Sequence, residues 1–240
     1  MKKWDKVHIS CGKLVLAGEY SLLNDGYGLS LALNRFNTLY WRNSSLFEYK
    51  AFYLDKIIKD KKLVEQFNLS GTFKSKIDWR SFYGWGSSGA CLANFAKFLN
   101  KLPQDINYEG SGIDIYTSFY MKHLLYKKND FQPYNIDPEI KKHLYFGILD
   151  KKVKSPISIE VVFPEELNQI VLEISTCKKI DDFILLLSAH DKIISKTMGI
   201  PSFFEKSALY SKYLGTWGGD SVLLIDPKNK ENLLDSSLLL

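Results

Sequence analysis

The chain has little cysteine. Its 240 residues hold only Cys11, Cys91 and Cys177. They are far apart, and no C-x-x-C pair exists, which argues against a structural zinc site or a dithiol redox motif. Cys11 and Cys91 stand among apolar neighbours and are expected as small buried hydrophobes. Long apolar runs are also missing, and no window approaches the roughly 20 residues that cross a bilayer. The charged segment Met1 to Lys6 is followed by no apolar stretch, so no secretory signal is read and the expected location is the cytoplasm. No arginine-rich or aromatic-interleaved patch is present. The net charge of +5 comes mainly from lysine, in scattered runs such as Lys59 to Lys62 and Lys151 to Lys154. These read as solvated faces that suit anionic small ligands, with no nucleic-acid and no membrane partner. The four histidines, His8, His123, His143 and His190, show no pairing pattern and are assigned to surface or core.

What is present is an ordinary globular composition, 45% apolar and 25% charged, in a chain long enough for a real core. Alternation predicts strands at Leu29 to Leu33, Phe47 to Tyr53 and Phe73 to Trp79, with a short apolar run at Lys13 to Ala17. Further strands are expected at Ile113 to Tyr120, Tyr145 to Leu149 and Ser221 to Ile225. Helical spacing is expected at Leu54 to Phe67 and Ser88 to Asn100, where Pro103 stops it. Three more helices are placed near Pro164 to Cys177, Asp181 to Met198 and Ser202 to Tyr213. A linker is placed at Lys127 to Lys142, which holds prolines, asparagine and charge. This order of elements predicts an α+β fold in two lobes, residues 1–130 and 143–240.

Gly84-Trp85-Gly86-Ser87-Ser88-Gly89 lies between a predicted strand and a predicted helix. Glycines let the backbone approach an anion and adopt positive φ. The free amides and dipole of a helix N-terminus favour phosphate. Ser87 and Ser88 offer hydroxyls to phosphate oxygens or to Mg²⁺. The same letters satisfy G-x-G-x-x-G, so a dinucleotide fold competes. That fold wants an acidic residue about 20 positions on, at the end of a second strand. Asp105 and Glu109 have the distance, but no apolar strand precedes them. A plain tight turn is the structural alternative. The P-loop signature is absent, because Gly12-Lys13 is followed by Leu14 and no glycine stands at the required earlier position.

Four segments in order resemble the motifs of the GHMP small-molecule kinases. Gly12-Lys13-Leu14-Val15-Leu16-Ala17-Gly18-Glu19-Tyr20 is similar to their first motif. The loop at 84–89 with Ala90 is similar to their second. Leu214-Gly215-Thr216-Trp217-Gly218-Gly219-Asp220 is similar to their third. Ser111-Gly112-Ile113-Asp114-Ile115 resembles the Ser-Gly-x-Asp segment that carries a catalytic aspartate in mevalonate-kinase-like members, in particular a bacterial subgroup marked by Gly-Tyr-Asp-Ile-Ala. The resemblance implies an N-terminal α+β lobe with a left-handed βαβ unit, a C-terminal ferredoxin-like lobe, and an active site between them.

The resemblance also implies roles. Asp114 would be the general base, with Lys13 beside it stabilising the transferring phosphoryl group. ATP would be held by Gly84, Gly86, Ser87, Ser88, Gly89, Gly218 and Gly219, with Ser88 also on Mg²⁺. Gly18, Glu19, Ser111 and Gly112 would support them. Each has a bland counterpart: Asp114 capping a turn, Lys13 solvated at a strand end, Ser87 and Ser88 capping a helix, Glu19 purely structural. Two departures stand out. The glutamate that is the second Mg²⁺ ligand of mevalonate kinases has no counterpart here, Glu109 matching it poorly in spacing, and Trp217 replaces a small residue. The expectation is therefore an ATP- and Mg²⁺-dependent kinase for an alcohol or phosphate acceptor such as mevalonate or phosphomevalonate, compatible with a homodimer. An ATP-dependent decarboxylase of the same fold and a nucleotide-binding module without turnover are the alternatives.

Overall fold

A computed structural model describes residues 3–45, 48–50, 70–80, 83–106, 110–128, 130–149, 161–199, 201–203, 205–214 and 220–240. The first sheet is built around one long hairpin. Strand β1, Lys6–Ala17, pairs antiparallel with β2, Gly28–Arg42, with register irregularities at Cys11/Lys13 and Val15/Ala17. β3 is Glu48–Lys50 and β4 is Thr72–Ile77. β4 pairs antiparallel with the far half of β2 and parallel with β3. Strand β5, Leu124–Lys127, pairs with the start of β2, and β6, Asp130–Pro133, with β5.

The apolar run in β1 is nearly continuous because both faces are covered. Leu14 and Leu16 enter the main core, while Val15 faces a second cluster with Ile113, Tyr116 and Tyr126. Helix α1, Ser87–Phe98, follows the predicted spacing. Its Cys91 and Phe95 pack on Leu39 of β2 and Phe73 of β4. Cys11 and Cys91 are buried, as expected.

The second sheet has β7 (Leu144–Ile148), β8 (Tyr210–Leu214) and β9 (Ser221–Ile225), antiparallel in the order β7-β9-β8. Helices α4, Glu165–Thr176, and α5, Ile180–Met198, lie between β7 and β8 in sequence. Ile170, Val171, Phe183 and Leu187 of these helices share one core with Leu223 and Ile225 of β9 and with Leu29 and Leu31 of β2. The elements are mixed helix and strand with antiparallel pairing dominant, as an α+β fold requires.

Three expectations are corrected. Ile113–Tyr120 is not a strand but helix α2. Its β-branched and aromatic residues favour a strand intrinsically, but tertiary burial on several sides overrides that preference: Ile113, Ile115, Tyr116, Thr117 and Ser118 are all buried. The span Ser202 to Tyr213 is not a helix. Its described part is a turn followed by β8, whose Tyr210 and Tyr213 pair across to Ile225 and Val222. Lys127 to Lys142 is not a plain linker, since it contains β6 and a short helix α3, Pro138–Lys141, capped by the Asp137 side chain. The expected helix at Leu54 to Phe67 lies outside the described residues.

Candidate active site

The glycine loop is tied to β1 by its backbone. The Lys13 amide donates to the Trp85 carbonyl at 3.0 Å. The Lys13 side chain then lies along Gly86. A Cβ at Gly86 would meet Lys13 Cγ at 2.8 Å and Cε at 2.9 Å, and Gly86 has φ +70°. Both facts require glycine there.

Gly86 is the N-cap of α1 and, having no side chain, makes no side-chain cap bond. The first intrahelical bond runs from Ala90 N to Gly86 O at 2.9 Å. Ser87 is buried, and its Oγ accepts from Trp79 Nε1 at 3.0 Å. Ser88, in the same first turn, is exposed. Neither serine is therefore the cap. The helix presents backbone amides, its positive dipole end and one exposed hydroxyl, a set suited to an anion.

Asp114 approaches from the other side. It sits in the first turn of α2, whose N-cap Gly112 has φ +83° and is likewise uncapped by a side chain. A Cβ at Gly89 would lie 2.9 Å from Asp114 Cβ and 2.9 Å from its Oδ2. Gly86 at the N-cap and Gly89 in the first turn of α1, three positions apart, thus carry the Lys13 stem and the Asp114 carboxyl. α2 is held in place by polar contacts. The Tyr126 hydroxyl donates to the Ser111 carbonyl at 2.7 Å. Thr117 Oγ1 donates to the Ile113 carbonyl at 2.7 Å and bonds the Ser30 hydroxyl. Cys11 Sγ donates to the Thr117 carbonyl at 3.6 Å, and burial pushes that thiol up to about 12, so it remains a donor.

Asp220, the last residue of the Trp-Gly-Gly-Asp segment, lies against the start of the glycine loop. A Cβ at Gly84 would meet Asp220 Cβ and Oδ2 at 3.0 Å each. Gly218 and Gly219 lie outside the described residues. Among the described residues no group of three metal-binding side chains occurs. Mg²⁺ does not need one, since it is held by one or two carboxylates together with substrate phosphates and water. The exposed Ser88 hydroxyl, the Asp114 carboxylate against Gly89 and the Asp220 carboxylate against Gly84 are hard oxygen donors of the kind this ion takes.

Gly18 and Glu19 belong to a buried polar cluster behind β1. The Gly18 amide donates to His190 Nε2 at 2.9 Å, so the imidazole carries its proton on Nδ1, 3.6 Å from Asp191 Oδ1. Glu19 Oε2 is 3.7 Å from His190 Nε2. Lys212 of β8 is 1% exposed; its Nζ donates to the Leu16 carbonyl at 2.9 Å and lies 3.4 Å from Asp191 Oδ1. Tyr210 donates to Asp191 Oδ2 at 2.8 Å. Glu19 is therefore built into the join between β1, α5 and β8. Lys212, Asp191 and His190 carried no sequence signal.

No protein-family model matches the sequence, and no curated protein matches it. Solved structures do match its fold. The mevalonate kinase of Methanococcus jannaschii is 17% identical over 95% of this chain and 92% of its own, with a TM-score of 0.65. The Streptococcus pneumoniae phosphomevalonate kinase in complex with phosphomevalonate and AMPPNP is 16% identical over 93% of each chain, with a TM-score of 0.66. Lactococcus lactis galactokinase complexed with galactose is 10% identical over 95% of this chain and 87% of its own, with a TM-score of 0.67. The chain has the fold of the GHMP small-molecule kinases. At these identities the likeness speaks for the fold, and the chemistry must be argued from the site.

Proposed function

We propose that this protein is an ATP-dependent phosphotransferase acting on a small alcohol or phosphate acceptor, with mevalonate and phosphomevalonate as the leading acceptors. The observation that carries the reading is that Lys13 packs on Gly86 and Asp114 on Gly89, three positions apart at the start of α1. Phosphoryl transfer needs positioning and charge neutralisation more than covalent chemistry. The uncapped amides of α1 hold the phosphates of the nucleotide. Asp114 takes the proton of the acceptor hydroxyl as its oxygen attacks the γ-phosphorus, and ADP leaves. Lys13 lies beside the transferring group and offsets its negative charge. Mg²⁺, held by Ser88 with Asp114 or Asp220, would neutralise phosphate oxygens. Residues 1–130 would form the nucleotide lobe and residues 143–240 the second lobe, with Gly218 and Gly219 among the ATP-binding residues.

The test is ADP release against a panel of small alcohols and phosphorylated alcohols, with ATP-analogue thermal protection run alongside. Turnover with one acceptor supports the reading. Carbon dioxide released with ADP would assign a decarboxylase instead. Protection by the ATP analogue without turnover leaves a binding module. Protection by NAD or FAD but not ATP overturns the nucleotide assignment.

A further inference from the structure

We propose that Trp85 and Ser221 are positioning residues: a hydrogen-bonded tie from the start of β9 fixes the glycine loop, and through it the strand that carries Lys13. Their effect on turnover rests on the kinase reading; the tie itself does not. A tryptophan inside a glycine loop would be expected at the surface, yet Trp85 is 2% exposed and ranks among the largest fully buried side chains. Its indole N–H donates to Ser221 Oγ at 3.1 Å. The same hydroxyl donates onward to the Tyr83 carbonyl at 3.0 Å. At its other end, the Trp85 carbonyl accepts the Lys13 amide at 3.0 Å. Tyr83 packs edge-on against the indole, with ring centroids 5.0 Å apart.

The loop is thus held residue by residue from two distant segments. Ser221 holds Tyr83 and Trp85, Asp220 lies on Gly84, and Lys13 lies on Gly86. Gly84 and Gly86 both sit at positive φ, where glycine gives little intrinsic restraint and ordering a free loop is entropically costly. The Ser221 hydroxyl, itself 2% exposed, supplies a polar restraint from the other sheet. Ser221 also starts the strand that follows the third glycine motif.

Trp85→Phe keeps an aromatic ring in the pocket but removes the donor together with part of the indole's volume, and Ser221→Ala, the smaller change, removes the hydroxyl that bonds both Trp85 and Tyr83. Each should lower kcat about tenfold or more, since misplacement of a reacting group by an ångström costs up to about a hundredfold. ATP-analogue affinity should change less, because the amides of α1 are untouched. The double variant should be no worse than the poorer single one, as for residues acting as a unit. Hydrogen exchange gives a reading free of turnover: the Lys13 amide should exchange at least tenfold faster in both variants, while the amides of β7 stay unchanged. Unchanged Lys13 exchange, or additive losses in kcat, would overturn the proposal. A wild type without turnover defeats the kinase reading alone, and Lys13 exchange then decides whether the tie exists.

Discussion

Gly89 and Asp114 are in direct contact: a Cβ on Gly89 would stand 2.9 Å from both Cβ and Oδ2 of the aspartate. An aspartate has too few torsions to swing clear when its own Cβ is struck, so α2 must shift. Gly89→Ala is therefore expected to lower kcat about tenfold or more, with overpacking of about 1–3 kcal/mol offset in part by about 1 kcal/mol of alanine helix propensity. Steady-state kinetics with a thermal melt checks this. A variant with wild-type kcat would show that Asp114 has freedom the contact denies it.

Asp114→Asn keeps the size and hydrogen-bonding capacity of the side chain and removes the base. The expected loss in kcat is about 100-fold or more, in the range of general-base contributions, with ATP-analogue binding nearly intact. Lys13→Met should also lower kcat, and the pair of changes should cost less than the sum of the two. Asp114→Asn retaining most activity in a folded protein would remove Asp114 from the chemistry.

Ser88 is exposed in the first turn of α1 and caps nothing. Ser88→Ala should leave stability within about 0.5 kcal/mol, as for a surface change away from special features. It should lower kcat more than nucleotide affinity, because a metal-bound oxygen acts mainly on transition-state charge. An unchanged kcat at limiting Mg²⁺ would show that the hydroxyl does not meet the ion.

Lys212→Met tests the buried cluster. It strips Asp191 and Glu19 of their cation and the Leu16 carbonyl of its donor, and breaking such a buried pair costs about 3 kcal/mol or more. Burial pulls the Lys212 ammonium down, but Asp191 and then Glu19 outweigh it and hold it above the ordinary 10.5. Burial raises Asp191, but Lys212 and then His190 outweigh it and hold it below the ordinary 3.8. The Lys212 contribution is thus complete below 10.5 and fades as pH rises through its folded value, and the Asp191 contribution is complete above 3.8 and fades as pH falls through its folded value. The stability gap between wild type and variant should be flat between those limits and shrink beyond them. Denaturant unfolding across pH measures it, and a gap that varies through the neutral range would assign the linkage to another group.

The elements legible in the sequence were those whose local pattern and tertiary role agree. α1 has apolar residues at helical spacing and one face on the sheet. β9 is an apolar run buried along its whole length. The glycine loop announced itself because positive φ and close packing leave few residue choices. The α2 segment reads as a strand because Ile, Tyr, Thr and Phe favour one, and only burial between β1 and the Tyr126 cluster selects the helix. The sequence by itself determined the helix-forming spacing, the loop and the residue types around it. Tertiary structure alone decided that Lys13 and Asp114 share that loop, that Trp85 turns inward onto Ser221, and that Lys212 becomes a buried cation. Each depends on partners up to 196 positions away along the chain, and no local propensity encodes which distant carboxylate, carbonyl or hydroxyl will satisfy a buried polar group.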